Sequence, residues 1–532
     1  MKKALMLRGL LAAATLSLGS VALAGSAGAT NLTINMYVGT NVDTPTASTL
    51  SGWGSNDWSM YSDATDTSHG QWAAAYADCH AASNTDCSLR ETVWVSQLWW
   101  LQPSVVAAFN TDIAASIAYD QTNAGGNATL QEATAYENDM NQNGSTISRD
   151  IGAGPGGDLV NSGANPAYSR YVLNFTQLKA TYTISASSGG GLFSNGDINL
   201  NVVGRGVNNT TIVGDGNTSF LYQDNGNASG PNSVSLQDIT FKNFNYDGQG
   251  AVLWASGNAT TNLNNVNFSR NIGTSSGIVY STATVNVTGG SFVKNADNSG
   301  GAIYSTGSLT VKGTQFSGNN AEDNNGGAIY FSGNDLTVSN SSFDRNVSSN
   351  TDRGGAIYTE GSTTTLTNDT FLGNSAGSGG AVDANDGTVA VLNSTFVGNT
   401  ANYGGGGILA ESGNGNVTVG SSIFANNTLF GGIQNFCSTW GNAARFVSLG
   451  GNVVQDGTGS TCVLGSHDKF VKSFKLGAYG FHGGKAQTIP LVAKSAGTAF
   501  APRATCATKD ARGVSRGTTG TCDAGSYQVT KK

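Results

Sequence analysis

Two carboxylates and an arginine have the spacing for acid–base chemistry. Asp383 and Glu360 lie one repeat apart in a periodic stretch, with Arg353 and Asp386 close in sequence. On strand and inter-strand spacings their backbones come ~8 Å apart, near the separation of inverting carboxylate pairs. Acidic residues at turns are ordinarily just solvated, so the group is weak ground for catalysis and no catalytic residue is assigned. No phosphate loop, nucleophile elbow or zinc-protease helix motif accompanies it. A second set is aromatic: Tyr280, Tyr304, Tyr330 and Tyr358 recur with the same period. Stacked on a solvent face, they would suit sugar rings or a packing partner. The third set is six cysteines in three local pairs, Cys79/Cys87, Cys437/Cys462 and Cys506/Cys522. Their spacings fit no zinc pattern, and the only histidines are His69, His80, His467 and His482. Disulfides stapling irregular caps are the simpler reading, although six cysteines formally allow fifteen connectivities. No metal or cofactor is called for; calcium would enter only if the carboxylates acted enzymatically.

The elements that must hold these residues are written in a pattern repeated eight times. A Phe ends each copy, at Phe241, Phe268, Phe292, Phe316, Phe343, Phe371, Phe396 and Phe424. Five residues before each stands an aliphatic residue, from Leu236 to Val419, and seven before another apolar residue or Thr. Three after the Phe comes Asn in seven copies, Asn271 to Asn427. Alternation by two is a strand signal. A second strand reads Gly-Gly-Ala-Ile-Tyr, as at Gly300 to Tyr304, Gly326 to Tyr330 and Gly354 to Tyr358. Two or three short strands per ~26 residues without helical spacing predict a solenoid, each turn stacking on its neighbour. The expected fold is all-β, a right-handed parallel β-helix of ~12 coils and roughly 55 Å, with columns of like residues ~4.8 Å apart. The Asn column and position −3 (Asp238, Asn265, Gly289, Gly313, Asn340, Asn368, Asn393, Gly420) read as turn chemistry.

Two registers compete for the tyrosines. If Val252, Val279, Ile303, Ile329, Ile357, Val382 and Leu409 point inward, then Leu253, Tyr280, Tyr304, Tyr330, Tyr358, Asp383 and Ala410 face solvent. The opposite register would put Ala and Tyr inside, and it stays open at this point.

Outside the repeats the chain changes character. Residues 1–29 read as a signal peptide: Lys2, Lys3 and Arg8, an apolar stretch, then small residues, with cleavage after Ala24 or Ala29. Residues 30–98, rich in Trp, read as an N-terminal cap, with sugar stacking as the alternative use of those rings. Within 99–166, Val105, Phe109, Ile113 and Ile117 recur every four residues, and Thr129 to Glu132 is a capping box, so a helical insertion is expected. The β-helix takes 167–463 and a C-terminal capping or anchor module 464–532. No later segment is apolar enough to span a membrane.

The paired Gly-Gly-Ala-Ile and Phe-x-x-Asn signatures over Val234 to Asn427 resemble the repeats of polymorphic outer-membrane proteins and related exported bacterial β-helix proteins. Cys87-Ser88-Leu89-Arg90-Glu91-Thr92 looks like the CSLREA signature of that group. Asp510 to Arg516, followed by Cys522 to Tyr527, is similar to its closing module, with Gln528 where Glu is usual. The resemblance implies the fold and an exported location, and little about activity. Parallel β-helices also include polysaccharide lyases, working with calcium and a basic residue, and hydrolases with clustered carboxylates. No motif of either appears: Asn110-Thr111-Asp112 is only superficially similar to the hydrolases and falls in the expected helix.

Charge is sparse, 11% of residues. Without the leader, 23 basic residues face 34 acidic ones, a net −11. Residues 30–463 hold 12 basic and 31 acidic, and 464–532 hold 11 basic and 3 acidic. An acidic shaft argues against nucleic acid as a partner. The basic module could meet anionic surface polymers or lipids, or the acidic body of another copy in head-to-tail association. The expected partners are therefore an extracellular polysaccharide or a surface protein. The expected role is a non-enzymatic exported protein in adhesion or surface assembly, with a polysaccharide lyase or glycoside hydrolase as the alternative.

Overall fold

The computed structural model describes residues 33–38, 170–175, 180–185 and 192–195. It then describes 199–530 with breaks at 225–232, 258–259, 412–414, 442–444, 456–457 and 518–519. The signal peptide, most of the N-terminal cap, the helical insertion and the Cys79/Cys87 pair lie outside the described residues.

Each regular coil is four strands, more than the two or three expected. In one coil Thr284–Thr288 belongs to sheet A, Ser291–Val293 to sheet B, Ala296–Asp297 to sheet C and Ile303–Ser305 to sheet D. The strand of sheet C is two residues long, too short to leave an alternation in the sequence. Sheets A and B each hold twelve strands, sheet C eight and sheet D ten. Successive coils pair in parallel and residue on residue, Phe268 with Phe292 and Phe292 with Phe316. Sheet A begins with Thr33–Val38, which pairs in parallel with Arg170–Phe175.

The interior is built from the repeated columns. From Phe241 to Phe424 the rings stack at centroid distances of 4.6 to 5.4 Å, and all are buried. The Asn column is not at a solvated turn but inside. Asn295 Nδ2 donates to Asn319 Oδ1 at 3.0 Å and to the Phe268 carbonyl at 3.1 Å. Its backbone N–H donates to Asn319 Oδ1 as well, and the same bonds repeat at Asn319, Asn346, Asn374 and Asn399. A carboxamide carries donor and acceptor together, so one residue type can satisfy itself coil after coil in a dry interior. Position −3 is the turn position expected, with φ between 47° and 68° from Asp238 to Asn393; in the eighth copy Ser421 takes it instead of Gly420.

The C-terminal module begins as part of the solenoid, Lys469–Val471 being the last strand of sheet B. It then runs back along the flank over the outer face of sheet B. Leu491 and Ala524 pack on Ile423 and Val453. The Ser526 N–H donates to Thr395 Oγ1 at 2.9 Å and its hydroxyl bonds Thr370 at 2.8 Å. Arg516 Nη2 donates to Asn368 Oδ1 at 3.0 Å, the Tyr479 hydroxyl to Asp344 at 2.9 Å, and Lys485 lies over Gly313 and Gly289. Seven successive coils are crossed. Disulfides Cys437–Cys462 and Cys506–Cys522 form as the local pairing predicted. Among the described residues no helix is long and apolar enough to cross a membrane.

Candidate functional site

Sheet D carries the aromatic column, and a glycine fixes its register. Gly250, Gly277, Gly300, Gly326, Gly354, Gly379 and Gly405 all have φ between 59° and 75°, a region that L side chains rarely adopt. A Cβ on Gly300 would lie 2.4 Å from the Ile303 carbonyl oxygen. Three residues after each of these glycines, and two after Gly277, comes the inward column of Leu253, Val279, Ile303, Ile329, Ile357, Val382 and Ile408, all fully buried. The outward neighbours are Tyr222, Trp254, Tyr280, Tyr304, Tyr330, Tyr358, Asp383 and Leu409. Of the two registers the outward one holds, with two corrections: Trp254 replaces Leu253, and Leu409 replaces Ala410. In the latter coil Gly405, and not Gly406, takes the left-handed backbone, which moves the strand back by one residue.

The rings form a ladder. Tyr222 and Trp254 stack at 4.0 Å, Tyr280 and Tyr304 at 5.5 Å, and Tyr304 and Tyr330 at 4.5 Å. Because the faces lie against one another, the ladder presents ring edges and phenol hydroxyls, so it meets a ligand by hydrogen bonds more than by stacking. Tyr280, Tyr304 and Tyr330 are half-buried. Burial raises the Tyr304 and Tyr330 hydroxyls, and Glu360, which accepts from Tyr330 at 2.9 Å, raises the latter further. Beside them runs an open groove of about 420 Å³, lined by Thr274, Ser275, Ser276, Asn298, Ser299, Asp323 and Asn324 together with Tyr304 and Tyr330. Its walls are hydroxyls, amides and one carboxylate, from turns between sheets C and D.

At its upper end the column departs from expectation. Tyr358 is only 2% exposed, and Asp383, expected on the solvent face, is fully buried. The turn preceding Gly354 brings Arg353 beside both. It is pinned by the Arg353 N–H to Asn325 Oδ1 at 2.9 Å and by the Gly326 N–H to the Arg353 carbonyl at 2.9 Å. From there the Arg353 guanidinium reaches Glu411 at 2.9 Å, two coils on. Asn385 stands between Glu360 and Glu411 in register and donates to the Tyr358 hydroxyl at 2.9 Å. Neither oxygen of Asp383 has a hydrogen-bond partner. Burial, then the Glu411 charge, push its carboxyl well above the usual range, against a smaller pull from Arg353. Burial also raises Glu411, Arg353 opposing. For Arg353 burial works downward, yet Glu411 and Asp383 outweigh it.

The structure therefore gathers Arg353, Tyr358, Asp383, Asn385 and Glu411. It does not gather Asp383 with Glu360, because Glu360 is exposed and bound to Tyr330. Glu411 and Asn385 escaped the sequence reading; the former follows a Gly-rich stretch and pairs across two coils, a distance no local motif encodes. Trp254 escaped through the register slip. As a chemical device the cluster is a buried carboxyl, raised by its burial, beside an ion pair.

Residues 249–424, which include Tyr280 to Tyr358 and the whole cluster, match the family model of the right-handed β-helix region. No curated protein and no solved structure matches the chain. Coil geometry and family match together make the solenoid a right-handed parallel β-helix.

Proposed function

We propose that this chain is an exported, non-enzymatic β-helix rod at the cell surface that holds a glycan along the sheet D ladder, in adhesion or surface assembly. The observation that carries the reading is the groove: a row of phenol hydroxyls facing hydroxyl and amide side chains on rigid coils. Sugars are recognised by many directed hydrogen bonds, and such a wall supplies them without rearrangement. The two disulfides are compatible with an oxidising compartment. Glycan-array and surface-attachment assays test the reading with a Tyr304→Ala/Tyr330→Ala variant. Attachment should fall by more than about tenfold, the loss of one to two hydrogen bonds, while the melting curve stays cooperative. Unchanged attachment would remove the ladder from the role. Tyr358 is left intact because it is buried.

A polysaccharide lyase or glycoside hydrolase is the second reading, favoured by the raised carboxyl of Asp383 beside Glu411 and Arg353. Its test is release of reducing ends, or of unsaturated products, from extracellular polysaccharides, with and without calcium. Activity that Asp383→Asn abolishes would support this reading; absence of product across a polysaccharide panel would end it.

A further inference from the structure

The charges at the groove beside Tyr304 and Tyr330 share one sign. Asp323 is the one charged residue lining the groove, and neither Lys nor Arg lines it. Asp247 accepts a hydrogen bond from Thr274 of the wall, and Glu322 is exposed next to Asp323. Glu360 holds the Tyr330 hydroxyl at 2.9 Å. At the upper end, the positive charge of Arg353 is paired with Glu411. A ligand entering this groove meets carboxylates and no uncommitted cation among its lining residues.

We propose that the groove takes a glycan bearing protonated amino groups, a hexosamine polymer, in preference to one bearing carboxylates or sulfates. The inference rests on the glycan reading of the same groove. A polyuronate would bring like charges against Asp323 and Glu360, whereas an ammonium group can donate to those carboxylates while ring hydroxyls bond Asn298, Asn324 and the tyrosine hydroxyls.

Calorimetric titration of the full chain in mildly acidic buffer, at low and high salt, tests this. The three probes are a glucosamine hexasaccharide, its fully N-acetylated form and a galacturonate hexasaccharide. The amino form should bind about tenfold tighter than the acetylated form at low salt and converge on it at high salt, with the uronate weakest. Glu322→Gln with Asp323→Asn should reduce the amino preference several-fold. Uronate binding as tight as the amino form, or a preference indifferent to salt, overturns the inference and leaves the glycan reading standing. If none of the three binds, while glycans of other classes also fail in the array, the glycan reading itself falls.

Discussion

Asp297 sits in sheet C with its carboxylate against Gly273, where a Cβ would come within contact of Oδ2. It is fully buried, and burial pushes its carboxyl up to about 7 despite backbone N–H groups of Asn298, Ser275 and Ser299; Glu322 adds to the rise. A raised acid favours the folded state while protonated. Its stabilisation is complete below pH 3.8, declines through about 7 and is absent above. Asp297→Asn should flatten that decline and exceed the parent at alkaline pH by up to about 4 kcal/mol, each tenfold change in proton affinity being worth about 1.36 kcal/mol. Melting curves across that interval check it; a variant with the parent's slope would assign the decline to other groups. Legibility at this scale was partial. Asp383 and Arg353 stood out by type and spacing, but burial and the Glu411 partnership depend on how a turn folds over a neighbouring coil.

At the scale of the element, the columns were legible and the register was not wholly so. Phe and Asn recur because in-register parallel stacking places each on its own kind, and that shows in the sequence directly. Ala410 was misplaced because one extra glycine shifts the strand by a residue and turns every side chain over, and Leu253 because Gly250-Ala251-Val252-Leu253 lacks the second glycine of the pattern. Phe316→Ala removes a ring stacked on both sides, so a loss of about 3–5 kcal/mol is expected in denaturant titration. Asn346→Ala takes away the acceptor of the Asn319 backbone N–H, one of the two acceptors of Asn319 Nδ2 and the side-chain donor to the Phe316 carbonyl, all in a dry interior. It should cost about 2–4 kcal/mol though it deletes far less volume. Should Asn346→Ala prove nearly neutral, the ladder of amides would be a by-product of the fold and not a source of its stability.

At the scale of the molecule, the flanking return of the C-terminal module had no sequence period to announce it. The residues that resembled a closing module hold it together. Arg516 is buried, lowered to about 10 by that burial against Asp510 and Asp523, and donates to the Asp523 and Gly525 carbonyls. Asp510 accepts from Arg512 and from the Gln528 N–H. Gln528 Oε1 accepts the Asp523 N–H at 3.1 Å, so an amide serves where Glu is usual. Reducing Cys506–Cys522 releases a link across sixteen residues, worth about 3 kcal/mol or on the order of 100-fold in local opening. Hydrogen exchange should then quicken at Ala507, Gly525 and Ser526 while Asn319 and Asn346 stay protected. Uniform quickening would show instead that module and coils open together.

That lateral return also changes how the rod would bear load. A bare stack of coils parts one rung at a time, because each rung grips only the next. Here a single band ties Gly289 to Val453, so tension entering at the C-terminal side has to peel the band before any rung can separate. In single-molecule extension this predicts an early shear event, followed by the even sawtooth of an unprotected stack.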